Sequence, residues 1–380
     1  MSPSEPRAVF GSFGHGNLGD ELVPDCLRAL LESIGQPADL AVLTRFKGPL
    51  PLEGVLDLPA AGDWMRDTPG ARVVLAGGGI VMPQPKSCLN RAWGMKAKDT
   101  RLQAFAVSIE PEVDYGFRAR RTLGRQLDHL GPVAARDEMS AETLGRLFPD
   151  HPVRVVGDIG LWTRAGPVPE AVADMAAGPG ICVTLHTTWA AGEVLPWIVP
   201  DLVTLARRTG LAVTVLPFSP FKDPDIDIHR KLAAALRETA PDVTVHAPGE
   251  ALPADALTYG VAAAIMKTAR LVISTRLHGC VVACSQRTPF VALAYHPKLA
   301  GFARAVNRPS ALLPAAPPGR QKKGIYGYDF AELALGSGDL VARAEAAMAD
   351  TDFSAVDFWR RRQQIALADM LGLGRDAVSG

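Results

Sequence analysis

A chain of 380 residues exceeds what one hydrophobic core usually serves, and a prior of about 150 residues per domain predicts two domains. Its 40 acidic and 40 basic residues cancel, which excludes a long-range field of one sign directed at nucleic acid or an anionic surface, so anion recognition must be local. Five cysteines without a C-x-x-C spacing argue against a disulfide framework and for a reducing compartment.

The opening, MSPSEPRAVF, has Glu5 and two prolines where a secretory signal would carry a basic end and a run of roughly 7 to 15 apolar residues. No stretch approaches ~20 uninterrupted apolar residues, so no transmembrane helix is expected. These features predict a soluble, cytoplasmic protein.

Short apolar runs then alternate with longer helical patterns, the form taken by βαβ units and parallel sheets. In the first half the spacing predicts strands over 8–11, 41–44, 72–76, 104–108, 133–135 and 153–156, with helices over 21–34 and 117–130. The first strand runs into GSFGHGNLGDEL, whose glycines resemble a weak dinucleotide fingerprint. Gly16 and Asn17 are candidate substrate contacts there. Asn17 and His15 suit a ligand or a turn equally, and Asp20 suits a helix cap. The third predicted strand leads into LAGGGIVMPQPK, where Gly78 and Gly79 permit close backbone approach to a ligand after the strand. Lys86 and Arg91 are supplementary cations. Arg136 ends its strand and either faces a ligand or pairs with Asp137 or Glu138.

The Gly-, Pro- and Ala-rich run TRAGPVPEAVADMAAGPG, residues 163–180, reads as a linker. Beyond it, strands are predicted over 181–186, 213–217, 243–246, 271–274 and 290–294. TLHTTW places His186 and Trp189 at one strand end, where a substrate contact and a sugar-stacking aromatic fit. In STRLHGCVVACSQRT a buried strand meets a helix, and Arg276, Leu277, His278 and Gly279 fall at the turn. Helix-start amides favour a phosphate or carboxylate there. Arg276 adds a planar fork for two anion oxygens, Gly279 admits the ligand closely, and His278 can deliver a proton near neutral pH. An ion-paired arginine and a carbonyl-bound histidine are the structural alternatives. Lys298 is a further cation. Cys280 and Cys284 read as small core residues, not metal ligands, and no H-E-x-x-H or Cys/His spacing supplies a metal.

Residues 1–165 are thus assigned to an N-terminal α/β domain, 179–345 to a C-terminal α/β domain, and 346–380 to a helix returning to the first. The tail DFWRRRQQIALADML mixes apolar residues with Arg360, Arg361 and Arg362. It either docks on the first domain, the favoured reading, or makes peripheral membrane contact. Two doubly wound, Rossmann-like domains facing a cleft are the economical architecture.

The block STRLHGCVVACSQRTPFVALAYHPKLAGF resembles the C-terminal signature of the polysaccharide pyruvyl transferase family. GSFGHGNLGDELV, LAGGGIV, AARDEMSAETL and VVGDIGLW are similar, in order, to the family's other segments. One departure stands out: the family usually follows its central Asp with Pro, whereas Asp158 precedes Ile159, so Asp158 receives no role. The resemblance implies a B-type glycosyltransferase fold. It also implies transfer of the enolpyruvyl carbons of phosphoenolpyruvate to two hydroxyls of a sugar, forming a pyruvate ketal in polysaccharide biosynthesis. Residues matching Arg276, Leu277 and His278 hold the donor, Leu277 through its backbone. Phosphoenolpyruvate is then the donor substrate, with no separate cofactor and no metal. The partner is a saccharide acceptor, free or lipid-linked, and not nucleic acid. The donor falls to the C-terminal domain and the acceptor to the first. A nucleotide-sugar glycosyltransferase is the second reading, although no clear G-x-x-E-x-x-E pattern is present. A non-catalytic sugar-binding module is the third, and the Arg276/His278 pair argues against it.

Overall fold

The computed structural model describes residues 7–37, 39–47, 54–81, 87–109, 115–187, 195–221, 225–294, 296–314 and 339–373. The chain divides into two compact units. Unit 1 comprises Met1–Gly16, Asp20–Trp162 and Asp357–Gly380, and unit 2 comprises Asn17–Gly19 and Thr163–Val356.

Unit 1 is built on seven parallel strands: β1 (Arg7–Gly11), β2 (Ala41–Thr44), β3 (Val55–Leu56), β4 (Arg72–Val81), β5 (Arg101–Ile109), β6 (Val133–Ala135) and β7 (Val153–Val155). They lie in the order β3-β2-β1-β4-β5-β6-β7, so the winding reverses between β1 and β4. Phe10, Val73 and Leu75 pack against Met65, Leu89 and Leu127 from the helices Leu58–Asp67, Cys88–Met95 and Phe117–Leu130. Helices covering a parallel sheet explain why its strands read as nearly continuous apolar runs.

Unit 2 repeats the design with β8 (Gly180–Thr184), β9 (Ala212–Val215), β10 (Val245–His246), β11 (Leu271–Ser274), β12 (Phe290–Ala294) and β13 (Leu312–Pro314). Their order, β10-β9-β8-β11-β12-β13, reverses between β8 and β11. Ligands of open α/β sheets bind beyond the carboxyl ends of the strands at such a reversal. Thr184 ends β8 and pairs with Ser274, which ends β11.

Three features depart from the sequence reading. Edge strands β3 and β13, of two and three residues, were not predicted, because so short a run has no alternation to detect. The Gly77–Gly79 triplet does not follow its strand: β4 continues through it to Val81, with register shifts against β5 at Ala76/Gly77 and Gly77/Val81. Positive φ at Gly77 (105°) and Gly79 (61°) allows this bulge. The run 163–180 is not a structureless linker. It holds the short helix Ala173–Ala177 and the start of β8, and its Gly166 N–H donates to the carbonyl of Gly260 at 2.9 Å.

Helix Asp339–Ala349 joins the core of unit 2 through Leu340, Val341, Ala344 and Ala347. The following helix, Ser354–Met370, carries the chain back into unit 1. Trp359 is buried above Gly157, whose missing Cβ gives the indole its room. Arg360 donates to the Leu161 carbonyl and stacks over Trp162, while the carbonyl of Met370 accepts from Arg72 and Gln103. Trp359, Leu367 and Arg360 are therefore used in docking, whereas Phe358 and Ile365 are exposed. Among the described residues no helix is long and apolar enough to cross a membrane.

Candidate functional site

The turn after β11 is built by Ser274. Its hydroxyl donates to the Arg276 carbonyl at 2.8 Å and accepts the Arg276 N–H at 2.9 Å, closing the strand end so that a helix starts at Leu277. Gly279 has a packing role that the sequence did not show. A Cβ there would stand 2.3 Å from Ser274 Oγ and 2.8 Å from Thr184 Cγ2, so glycine lets the helix approach the paired ends of β8 and β11. Cys280 and Cys284 lie in the buried part of this helix, where burial pushes both thiols up. Among the described residues no cluster of His, Cys, Asp or Glu could hold a metal ion.

Arg276 is only 8% exposed. Its Nε lies 2.8 Å from Oδ2 of Asp225, a fully buried carboxylate. The N–H is not aimed along that line, so charge holds the pair while Nε and Nη2 keep their hydrogens unspent among the described residues. Buried donors left unspent are costly unless a ligand takes them. Asp225 also accepts the N–H groups of Phe218 (2.9 Å) and Ser219 (3.0 Å) just beyond β9.

Asp225 extends this network through its backbone. Its carbonyl lies 2.6 Å from His229 Nδ1, and His229 Nε2 accepts the N–H of Leu185 at 2.9 Å. Both contacts are satisfied only by a neutral imidazole protonated at Nδ1. Burial foremost pushes the His229 pKa down, in keeping with that state. The adjacent His186 donates its N–H to Thr275 Oγ1 at 2.6 Å. Burial, then the charges of Arg276 and Lys298, push His186 down to about 3 against the opposing pull of Asp225. His186 is thus a neutral ring beside two cations, not a proton donor near neutrality. Lys298 is half-buried at the start of helix Pro297–Ala305, its N–H bonded to His296 Nδ1 at 3.2 Å.

Unfolding releases both imidazoles to their ordinary value near 6.5. Below that pH the unfolded chain binds protons that the folded chain refuses, so stability falls as pH falls, and the His186 contribution is fully lost near pH 3. Unfolding free energies at pH 7.5 and 5.0 should differ by up to about 2 kcal/mol from His186 alone, with His229 acting in the same direction. Replacing His186 by glutamine should flatten the slope; an unchanged slope assigns the acid sensitivity elsewhere.

The N-terminal glycine loop divides between the units. Asn17 Oδ1 accepts the N–H of Gly19 at 3.1 Å, the turn role open to asparagine, and Leu18 N–H donates to the Phe218 carbonyl at 3.1 Å. Gly19 lies against His278, since a Cβ there would fall 2.1 Å from the ring's Nδ1. Asn17–Gly19 therefore back the imidazole within unit 2.

In unit 1 the preceding amides are already taken. Gly14, His15 and Gly16 donate at 2.8, 2.9 and 2.9 Å to the buried carboxylate of Glu21. Gly16, a candidate substrate contact, has its N–H occupied by this internal carboxylate. Burial raises the Glu21 pKa against the three N–H bonds and the nearby His15. Asp20 lies within the short helix Leu18–Glu21, its carboxylate 3.2 Å from His15 Nε2.

Arg136, after β6, pairs with Asp137 at 3.0 Å and stands 3.8 Å from Asp158. Burial opposes the Asp137 charge, but Arg136 and Ser140 outweigh it and hold the carboxyl below its ordinary value. Gly78 faces Arg136, with a Cβ position 3.3 Å from Nη1, and Gly79 N–H donates to Ser108 Oγ at 2.7 Å. These residues form a group of their own in unit 1. Asp158 Oδ1 accepts the N–H of Gly160 at 2.8 Å, and its carbonyl accepts from Gln363. Lys86 and Trp189 lie outside the described residues.

Asp225, His229, Thr275 and Glu21 were missed by the sequence reading. The available signals were slight: an acid before the helical run IDIHR, and an acid a few residues after a glycine loop.

The family model for polysaccharide pyruvyl transferases matches residues 17–297, which include the Arg276-Leu277-His278 turn and every strand from β2 to β12. The chain belongs to the polysaccharide pyruvyl transferase family. No curated protein sequence matches it significantly. Among solved structures it is similar to UDP-GlcNAc 2-epimerase of Methanocaldococcus jannaschii in complex with UDP-GlcNAc and UDP, at 12% identity and TM-score 0.52 over 97% of this chain and 100% of that one. The Neisseria meningitidis UDP-GlcNAc 2-epimerase bound to UDP-GlcNAc is similar at 12% identity and TM-score 0.54, with the same coverage. These likenesses show the fold alone. It is the two-domain α/β fold of B-type glycosyltransferases. For this pyruvyl transferase family member, the unit 2 turn gathers an ion-paired guanidinium, a lysine and two imidazoles near one strand reversal.

Proposed function

We propose that the protein transfers the enolpyruvyl group of phosphoenolpyruvate to two hydroxyls of a saccharide, forming a pyruvate ketal and releasing phosphate. Family membership supports a transferase with a saccharide acceptor. The observation that carries the donor is Arg276, buried at the β8/β11 reversal with its Nε and Nη2 hydrogens unspent among the described residues, and with Lys298 near enough to depress His186. Phosphoenolpyruvate places two anionic groups on a small skeleton, and such a ligand calls for a dense set of fixed donors.

In this reading Arg276 and Lys298 hold the anionic groups and the neutral His186 ring adds a hydrogen bond. His278, backed by Gly19, gives its proton to the donor's methylene carbon. The first sugar hydroxyl then adds at the neighbouring carbon and loses its proton. Phosphate leaves with its bridging oxygen, and a second hydroxyl of the same sugar adds and loses its proton, closing the ketal. Unit 2 is the donor side and unit 1 the acceptor side. In this reading the enzyme works in the cytoplasm, on free or lipid-linked glycans.

Thermal denaturation with phosphoenolpyruvate and, separately, with UDP-sugars tests this directly. A ligand at a hundred times its Kd stabilises by about 2.7 kcal/mol. Stabilisation by phosphoenolpyruvate, with phosphate release on adding a glycan, is expected. Stabilisation by a UDP-sugar alone would favour the glycosyltransferase reading.

A further inference from the structure

We infer that Asp225 is a positioning residue that sets the donor site from beneath, by holding Arg276 through charge and the His186 loop through His229; this rests on the donor reading above. Three strand ends meet on this one residue. Its carboxylate takes the amides of Phe218 and Ser219 beyond β9 and faces Arg276 beyond β11. Its carbonyl engages the His229 ring, whose other nitrogen takes the amide of Leu185 beyond β8. The neighbouring His186 amide is tied to Thr275, next to Arg276, so the β8 and β11 loops are also fixed to each other.

A fully buried carboxylate is retained only with strong compensation. The two amides and the guanidinium supply it. The guanidinium contributes by charge and not by an aligned hydrogen bond. Asp225 therefore fixes the position of Arg276 while the Nε and Nη2 hydrogens have no acceptor among the described residues, which leaves them for a donor anion in this proposal. A carboxylate bonded squarely to the fork would occupy the hydrogens that an anion needs.

The test uses the full chain and two probes, phosphoenolpyruvate and inorganic phosphate, titrated calorimetrically. Asp225→Asn should weaken both at least tenfold, raise the donor KM by a similar factor, and leave kcat and the acceptor KM little changed. A merely structural role would lower the active fraction, and so kcat alone. If Asp225 acts through Arg276, the Asp225→Asn/Arg276→Lys double variant should bind no more weakly than Arg276→Lys alone. Should Asp225→Asn fail to fold, Asp225→Glu keeps the charge and displaces it by one methylene, and weaker anion binding is again expected. Unchanged anion affinity in the folded variant overturns the role of Asp225 and leaves the donor reading standing. A parent that binds neither anion overturns the donor reading and this role together.

Discussion

Replacing His278 by glutamine is expected to lower turnover by ~10² to 10⁴ while donor affinity largely survives, the span over which a positioned general acid contributes. His278 is the second residue of helix Leu277–Ser285 and is half-buried, so its ring is held yet reachable. Gly19 leaves room for the imidazole where any side chain would collide with it. Glutamine matches the ring in size and hydrogen-bonds but cannot give up a proton. The neighbouring imidazole cannot substitute, because His186 is held neutral down to about pH 3. Phosphate release measured under saturating donor decides the matter. Near-parental turnover would move the proton donor elsewhere, with His15 the remaining N-terminal histidine to examine.

Changing Arg276 to lysine is expected to weaken phosphoenolpyruvate binding by about 10- to 100-fold at unchanged net charge, the worth of one or two charge-assisted hydrogen bonds. Under the proposed function the arginine does two things at once: Nε sits against Asp225, while Nε and Nη2, whose hydrogens meet no acceptor among the described residues, take the ligand. A single ammonium can satisfy the buried carboxylate or reach the donor, but its compact shape cannot span both. Retained folding with lost affinity is the signature, read by titration alongside the denaturation midpoint. Parental affinity in Arg276→Lys would make Arg276 a structural partner of Asp225 and nothing more.

How much of this was legible in advance differs between the scaffold and the site. The strands 41–44, 133–135, 271–274 and 290–294 coincide with β2, β6, β11 and β12, because a strand covered on both faces is an apolar run visible in sequence. The helix at Leu277 was legible too, since a buried strand followed by a small-residue run leaves a turn at Arg276 and His278. The glycines were less informative. Gly279 proved to be packed against Ser274 and Thr184, the amide of Gly16 is spent on Glu21, and Gly78 and Gly79 lie in a bulge within β4. A glycine signals that a side chain is excluded, but not whether a ligand or the protein fills the space.

Spacing and composition along the chain carry the alternation of strands and helices, the two-unit α/β class, the family resemblance, and the placing of Arg276 and His278 at a strand-to-helix turn. Each follows from spacing along the chain, where periodicity and turn chemistry act over a few residues. The folded chain alone brings Asp225 against Arg276, ties Asp225 through His229 to the loop of His186, and parts Asn17–Gly19 from the rest of the N-terminal loop so that Gly19 lies against His278 within unit 2. Those partners come from separate strand ends, brought together by a doubly wound sheet that gathers its loops at one edge. Charge and hydrogen bonding act through space at about 3 Å, and no local pattern in the chain encodes which distant carboxylate will arrive.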